Sequence, residues 1–206
     1  MIWGVKGQIA KAKLVSFDIF DTCLFRACPP TDVHLITGAR LASSGLCVTS
    51  PMRFFLDRVC AEDIANHCAW AKGRDAATLK EIYDCLPVLL PSWVELDVEM
   101  DVSQSNPEVK AWYDGAVTLC KPVIFASDMY LPQDFLERLL KKHGFAGPVY
   151  VSCQVGCKTT GRMWQRILED TGLRPKDVLH IGDHHKGDVA VPGRLGIKTH
   201  HYRRKA

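Results

Sequence analysis

A small set of carboxylates, one serine and one lysine stands out in this sequence, because each sits at or just beyond the end of a short apolar run. Asp18 and Asp21 lie in LVSFDIFDTCLFR, Ser127 and Asp128 in FASDMY, Lys158 in CKTTG, and Asp183 and Asp188 in GDHHKGD. Together these residue types can do one specific piece of chemistry. A carboxylate at Asp18 can attack an electrophilic phosphorus and form a covalent aspartyl intermediate. Carboxylates repel a phosphate dianion, so that reaction calls for a divalent cation; Asp18 and Asp183 offer the hard oxygen ligands that suit octahedral Mg2+, and Asp188 is either a further ligand or a residue that orients one. The cation would neutralise charge and act as a template. Ser127 can donate a hydrogen bond to a phosphoryl oxygen, with Asp128 and Thr22 beside the same substrate. The Lys158 ammonium supplies a fixed positive charge for the transition state and the nucleophile.

Taken singly, none of these residues is specific. Two aspartates after a strand also make a turn and a helix cap, Ser127 reads equally as the N-cap of a following helix, and a type I turn explains Gly-Asp in GDHHKGD nearly as well as a metal loop does. Asp21 reads either as an acid/base or as a brace for the loop. What carries the reading is the order of the motifs and their common placement.

That placement requires a particular scaffold. Residues 14–17 (LVSF), 122–126 (PVIFA), 148–152 (PVYVS) and 178–181 (VLHI) are short apolar runs bounded by Gly, Pro or polar residues, the pattern of strands buried on both faces. Helical patterns at 132–143 and 160–171 lie between them, with Pro132 suited to a first helical position. Strand–helix alternation predicts a parallel, Rossmann-like α/β sheet flanked by helices. In such a sheet the carboxyl ends of the strands line one crevice, where residues distant in sequence converge. Residues 29–113 differ: Ser50-Pro51 opens a long helical segment that Gly73 closes, in which Phe55, Val59 and Cys68 recur at helical spacing, and further helices follow around TLKEIYDCL and PEVKAWYDGAV. The expected organisation is therefore an α/β core, 1–28 and 114–206, with a helical cap inserted over 29–113.

Composition narrows the classes. A chain of 206 residues with 47% hydrophobic and 24% charged residues is ordinary for a globular protein. No apolar run is long enough for a membrane helix, and MIWGVKGQIAKAK lacks the apolar core of a secretory signal, so a cytoplasmic protein is expected. The nine cysteines include no CxxC pair, which argues against a zinc site, and a chain with this much apolar material needs no disulfide staples. The net charge of +3 owes much to the tail HHYRRKA, and no basic stripe with a motif points to nucleic acid.

With DIFDT at 18–22, FASDMY at 125–130, Lys158 and GDHHKGD at 182–188 in this order, the chain resembles the haloacid dehalogenase-like (HAD) hydrolase superfamily. The likeness spans the whole core, and the insertion falls where that superfamily places its C1 helical cap. It implies a Mg2+-dependent hydrolase acting on a small phosphorylated metabolite, a sugar phosphate among the candidates, with Asp18 as nucleophile and metal ligand, Ser127 and Lys158 on the phosphoryl group, and Asp183 and Asp188 completing the metal site. DIFDTCLFR, SDMYLP and KTTG are also similar to a bacterial subgroup of predicted hydrolases found with, or fused to, glycosyltransferases of surface-polysaccharide synthesis, which implies association with such a system. One departure stands out. The superfamily's phosphatases carry their general acid two residues after the nucleophile, where this chain has Phe20; Asp21 comes one place later. An aromatic residue there is similar to the haloacid dehalogenases proper, which need no leaving-group acid, so cleavage of a carbon–halogen bond is a second reading. A module that binds a phosphorylated ligand or partner without turnover is a third. Around the site, Thr22 is expected to hold Asp18 and Arg26 to brace the cap hinge. His184 and His185 are expected at the rim, and His200 and His201 at a frayed surface end. Arg58 and Glu62 have the spacing of a surface pair, and Arg53, Arg58 and Arg74 are the candidate anion contacts in the cap.

Overall fold

The computed structural model describes residues 4–45 and 50–204. A short helix α1 (Val5–Lys11) leads into β1 (Leu14–Phe17), and β2 (Leu24–Arg26) follows at once. Four helices come next: α2 (Pro30–Ser43), α3 (Pro51–Ala71), α4 (Leu79–Asp84) and α5 (Trp93–Val102). The chain returns through β3 (Ser103–Ser105), α6 (Pro107–Thr118), β4 (Val123–Ser127), α7 (Gln133–Lys142), β5 (Val149–Val151), α8 (Ser152–Val155) and α9 (Arg162–Thr171). It ends with β6 (Val178–Gly182), a π-helical turn at His185–Ala190, α10 (Val191–Arg194) and β7 (Lys198–His201).

The α/β expectation holds: five strands form one parallel sheet in the order β5-β4-β1-β6-β7. Register explains why the site converges. Phe17 pairs with both Phe125 and Ile181, so the residues that follow β1, β4 and β6 emerge at one level of the sheet. Side chains alternate between two cores, as the strand period of two demands. Val15, Phe17, Phe125, Leu179 and Ile181 face one core, in which Tyr113 and Phe145 pack edge-on to neighbouring rings. Leu14, Ile124, Ala126 and Val178 face the other, against Met163, Trp164 and Ile167 of α9. Each such side chain, fully buried, contributes roughly 1.5–3 kcal/mol.

Helices α2 to α5 lie between the two strands of a separate antiparallel pair, with Leu24 opposite Ser105 and Arg26 opposite Ser103. The helical segment thus enters and leaves through adjacent strands. Residues 113 and 114 fall inside α6, which packs on α1 and β4 beside the sheet. Ser50 caps α3 by accepting the Arg53 N–H, with Pro51 at the first helical position. The face α3 buries is Phe54, Arg58, Ala61, Ala65 and Ala69, not the expected Phe55, Val59 and Cys68, of which Val59 and Cys68 are exposed. Small alanines let α3 approach α2 and α4 closely, and an arginine takes the place of a large apolar residue. Pro132 is the N-cap of α7, not its first residue, and Ser127 lies well before that helix and caps nothing. No helix among the described residues is long and apolar enough to cross a membrane.

Candidate active site

The site is built on strand ends. Asp18 continues β1 by one residue, its N–H donating to the Ile181 carbonyl at 2.9 Å, and its side chain is buried. Lys158, far away in sequence, reaches it: Nζ lies 2.5 Å from Asp18 Oδ1 and 2.6 Å from Asp188 Oδ1, with all three side chains almost wholly removed from solvent. One oxygen each of Asp18, Asp183 and Asp188 lie within 4.8 Å of one another. Gly182 makes this closeness possible, since a Cβ there would overlap the Asp188 carboxylate.

The carboxylates are not equivalent. Asp188 takes donors on both oxygens: Lys158 Nζ and His180 Nε2 (3.0 Å) on Oδ1, and the His184 N–H (2.9 Å) on Oδ2. Burial pushes its pKa up, but His180 and Lys158 outweigh that and hold it below the usual range. Asp18 goes the other way: burial raises its pKa well above normal, Lys158 opposes, and the neighbouring Asp188 and Asp183 add to the rise. Asp183 is raised by burial, then by Asp188 and Asp21. Lys158 stays charged; burial disfavours its ammonium, but Asp18, Asp188 and Asp128 together lift its pKa above normal.

This donor set fits a divalent cation. Among the described residues, Asp18 Oδ1 has Lys158 as its one donor and a lone pair to spare beside the free Oδ2, and Thr22 is the one side chain that donates to Asp183, while both acids are crowded by negative charge that a cation would relieve. Asp18 and Asp183 would hold the ion, and Asp188, with three donors on its roughly four lone-pair sites, mainly fixes Lys158.

Several expected residues take other partners. The Thr22 hydroxyl donates to Asp183 Oδ1 at 3.2 Å and does not hold Asp18. Asp128 accepts the Lys158 backbone N–H at 2.8 Å, so its carboxylate is engaged with the loop that carries Lys158. Ser127 is buried at the end of β4, and its hydroxyl makes no protein hydrogen bond among the described residues. Asp21 is exposed and adopts a left-handed conformation, φ 58°, in a tight turn where its N–H donates to the Leu24 carbonyl. His201 belongs to β7 rather than to a frayed end, and its Nε2 contacts the Asp183 carbonyl at 2.8 Å. His184 and His185 are exposed.

In the helical segment, Arg58 is no surface residue. It is fully buried and forms a two-pronged pair with Glu95 at 2.8 and 2.9 Å, Glu62 being only its secondary partner. Arg58 lies over the Tyr130 ring at 4.8 Å, and the Tyr83 hydroxyl also donates to Glu95. Arg53 pairs with Asp57 at the surface, and Arg74 makes a two-pronged pair with Glu81, so each candidate anion contact already has a carboxylate. Arg26 braces the entry to the segment through two bonds to Glu99, 2.8 and 2.9 Å.

Sequence reasoning missed His180. It is buried on β6, opposite Ser16 in register, with Nδ1 2.9 Å from the Ser16 hydroxyl and Nε2 on Asp188. A carboxylate only accepts, so Nε2 carries the proton and the serine donates to Nδ1. Burial lowers its pKa, which keeps the ring neutral. The signal was present: a polar residue in the middle of VLHI, between apolar neighbours, must have a buried partner.

No protein-family model matches the sequence, and no curated protein matches it. Solved structures do. A HAD phosphatase from Thermococcus onnurineus superposes with a TM-score of 0.65 over 94% of this chain and 87% of that one, at 15% identity. A 2-haloacid dehalogenase from Pseudomonas syringae pv. tomato DC3000 gives 0.58 over 93% and 86%, at 16% identity. A HAD family enzyme from Bacteroides thetaiotaomicron, in complex with magnesium and inorganic phosphate, gives 0.56 over 93% and 94%, at 13% identity. At these identities the likeness establishes the fold: this chain is built on the α/β scaffold that HAD phosphatases and haloacid dehalogenases share.

Proposed function

We propose that this protein is a HAD-type hydrolase of the phosphatase kind, dependent on Mg2+ and acting on a small phosphorylated metabolite through a covalent intermediate on Asp18. The observation that supports it best is the buried arrangement of Lys158 between Asp18 and Asp188 with Asp183 alongside, in which Asp18 keeps one oxygen free. A bound Mg2+ would supply charge neutralisation for carboxylates and phosphate alike. The chain's residues do the rest. The Asp18 oxygen attacks phosphorus as the bond to the leaving oxygen breaks. Lys158 holds the other Asp18 oxygen and balances charge on the phosphoryl group, and Ser127 donates to a phosphoryl oxygen. Water then cleaves the aspartyl phosphate. Phe20 supplies no proton to the leaving group, which favours substrates whose leaving group needs none, such as an anhydride or a sugar 1-phosphate. The likeness of DIFDTCLFR, SDMYLP and KTTG to glycosyltransferase-associated hydrolases supports the sugar phosphate and a place beside such a system.

Phe20 also supports a second reading, hydrolysis of a 2-haloacid by the same carboxylate. The test is a phosphoester panel and a haloacid, each with Mg2+ and with EDTA, beside Asp18→Asn. The proposal expects Mg2+-dependent phosphate release that the substitution abolishes. Release that persists in Asp18→Asn would sink it, and EDTA-resistant haloacid turnover without phosphatase activity would favour the second reading.

A further inference from the structure

Asp75 lies in the loop after α3, in the helical segment, yet its carboxylate is bound to the core loop that carries Lys158. Its Oδ2 accepts the Cys157 N–H at 2.8 Å and the Thr160 hydroxyl at 2.5 Å, and its Oδ1 accepts from Arg162 at 2.9 Å. The same Arg162 nitrogen donates to the Gly73 carbonyl at 2.8 Å. The Asp75 side chain is only 10% exposed, whereas Arg162 is 55% exposed. The ion pair is therefore screened by water, and the bonds to Cys157 and Thr160 matter most. The next N–H along, that of Lys158 itself, goes to Asp128. Consecutive backbone donors of one loop are thus held by two carboxylates, one from the helical segment and one from the core. Gly156 closes the fit: its φ is 92°, and a Cβ there would stand 2.6 Å from the Arg162 Cβ and 3.1 Å from Asp75 Oδ2. The Lys158 side chain has no slack either, because its ammonium is buried between two carboxylates at 2.5 and 2.6 Å.

We infer that Asp75 is a positioning residue: by tying the Cys157–Thr160 backbone to the helical segment, it sets where the Lys158 ammonium stands between Asp18 and Asp188. The consequence for turnover rests on the function proposed above; the placement of Lys158 does not. If Asp75 merely anchored the helical segment, its loss would weaken the fold and leave Lys158 as protected as before.

Trace acylation of the amines, read peptide by peptide by mass spectrometry, reports Lys158 directly, with the exposed Lys80 and Lys176 as internal standards. In Asp75→Asn and Asp75→Ala, Lys158 labelling rises about tenfold or more through local opening of the loop while the standards stay level. Turnover falls about 10- to 100-fold, in kcat more than in KM, as expected when a charged group is displaced by a fraction of an ångström. Asp75→Glu restores part of both. Thr160→Val, which removes one bond from the opposite side, gives a smaller change in the same direction and serves if the Asp75 variants do not fold. Native circular dichroism with unchanged Lys158 labelling would overturn the inference. If the wild-type protein hydrolyses no phosphoester, the functional proposal falls, and labelling alone decides the role of Asp75: a rise upholds it and no rise refutes it.

Discussion

Replacing Lys158 by Met isolates the charge at the centre of the site, because Met keeps an apolar stem of similar length in the same buried slot. With the ammonium gone, Asp18 and Asp188 face each other with ligand oxygens within 4.8 Å and no cation between them. At an effective dielectric of about 20, that repulsion amounts to about 3.5 kcal/mol. Its pH dependence has a definite sign. Burial already raises the Asp18 pKa in the folded chain, so its contribution to stability is present below the unfolded carboxyl range and is lost as pH rises through the folded value. The substitution lifts that folded value further. The stability gap between Lys158→Met and wild type therefore widens as pH rises through the folded Asp18 value, by up to about 3 kcal/mol once Asp18 is ionised, or roughly 6–12 °C in Tm, and is read at about pH 5 and pH 8. Urea titrations of both proteins at the two pH values measure the gap, and added Mg2+ narrows it at pH 8 by replacing the lost positive charge. A gap that is the same at both pH values and indifferent to Mg2+ would mean that Lys158 contributes packing alone, and the electrostatic argument would fail.

Two further expectations concern buried groups that support the site. Arg58→Met leaves Glu95 as an unpaired buried carboxylate and costs about 3–5 kcal/mol, whereas Arg58→Met with Glu95→Met removes both charges and recovers most of that loss; chemical denaturation of the set decides it. His180 has a pKa lowered by burial, so the stability it contributes is full above the unfolded imidazole range near pH 6.5 and is lost as pH falls toward the folded value. His180→Gln keeps a donor for Asp188 and cannot titrate. The acid-side slope of stability between about pH 5 and 7 therefore flattens in the variant, and an unaltered slope would contradict the neutral-imidazole assignment.

The core was legible in the sequence because its determinants are local. Four short apolar runs, each ending at Gly or a polar residue, mark β1, β4, β5 and β6, and parallel pairing then brings Asp18, Ser127, Lys158 and Asp183 to the carboxyl ends of the strands. The strands that were missed lack that signature. β2 is LFR, three residues inside the aspartate motif, while β3 is SQS and β7 is KTHH, and these last two owe their pairing to a neighbour rather than to their own hydrophobicity. The polar network was missed for a related reason. Glu95 and Glu99 occur four apart beside Val94 and Val98, on the buried face of α5, where a carboxylate demands a buried base. Sequence alone offers several arginines for that role, and only the packing of α3 on its neighbours selects Arg58. In the same way, spacing suggests that Thr22 supports the aspartate loop, but the hydroxyl is nearer Asp183 because β6 lies directly beside β1.

The packing around Phe20 bears on why a proton donor is absent there. The Arg26 guanidinium lies 4.0 Å over the Phe20 ring and donates from Nε and Nη2 to Glu99, at the point where β2 and β3 carry the chain into and out of the helical segment. The aromatic face thus braces this junction through a cation–π contact. A carboxylate at position 20 would sit beside that guanidinium and compete with Glu99 for it. Its pKa would be depressed, and a general acid needs the opposite. Asp21, one residue on, lies exposed in a turn with a positive φ. The Arg26 brace and a leaving-group acid therefore make incompatible demands on one residue, and in this chain the brace has it. On the proposed function, selectivity follows from that choice: Asp18 turns over esters of poor leaving groups slowly, and substrates whose leaving group departs without a proton are the ones this site is built to accept.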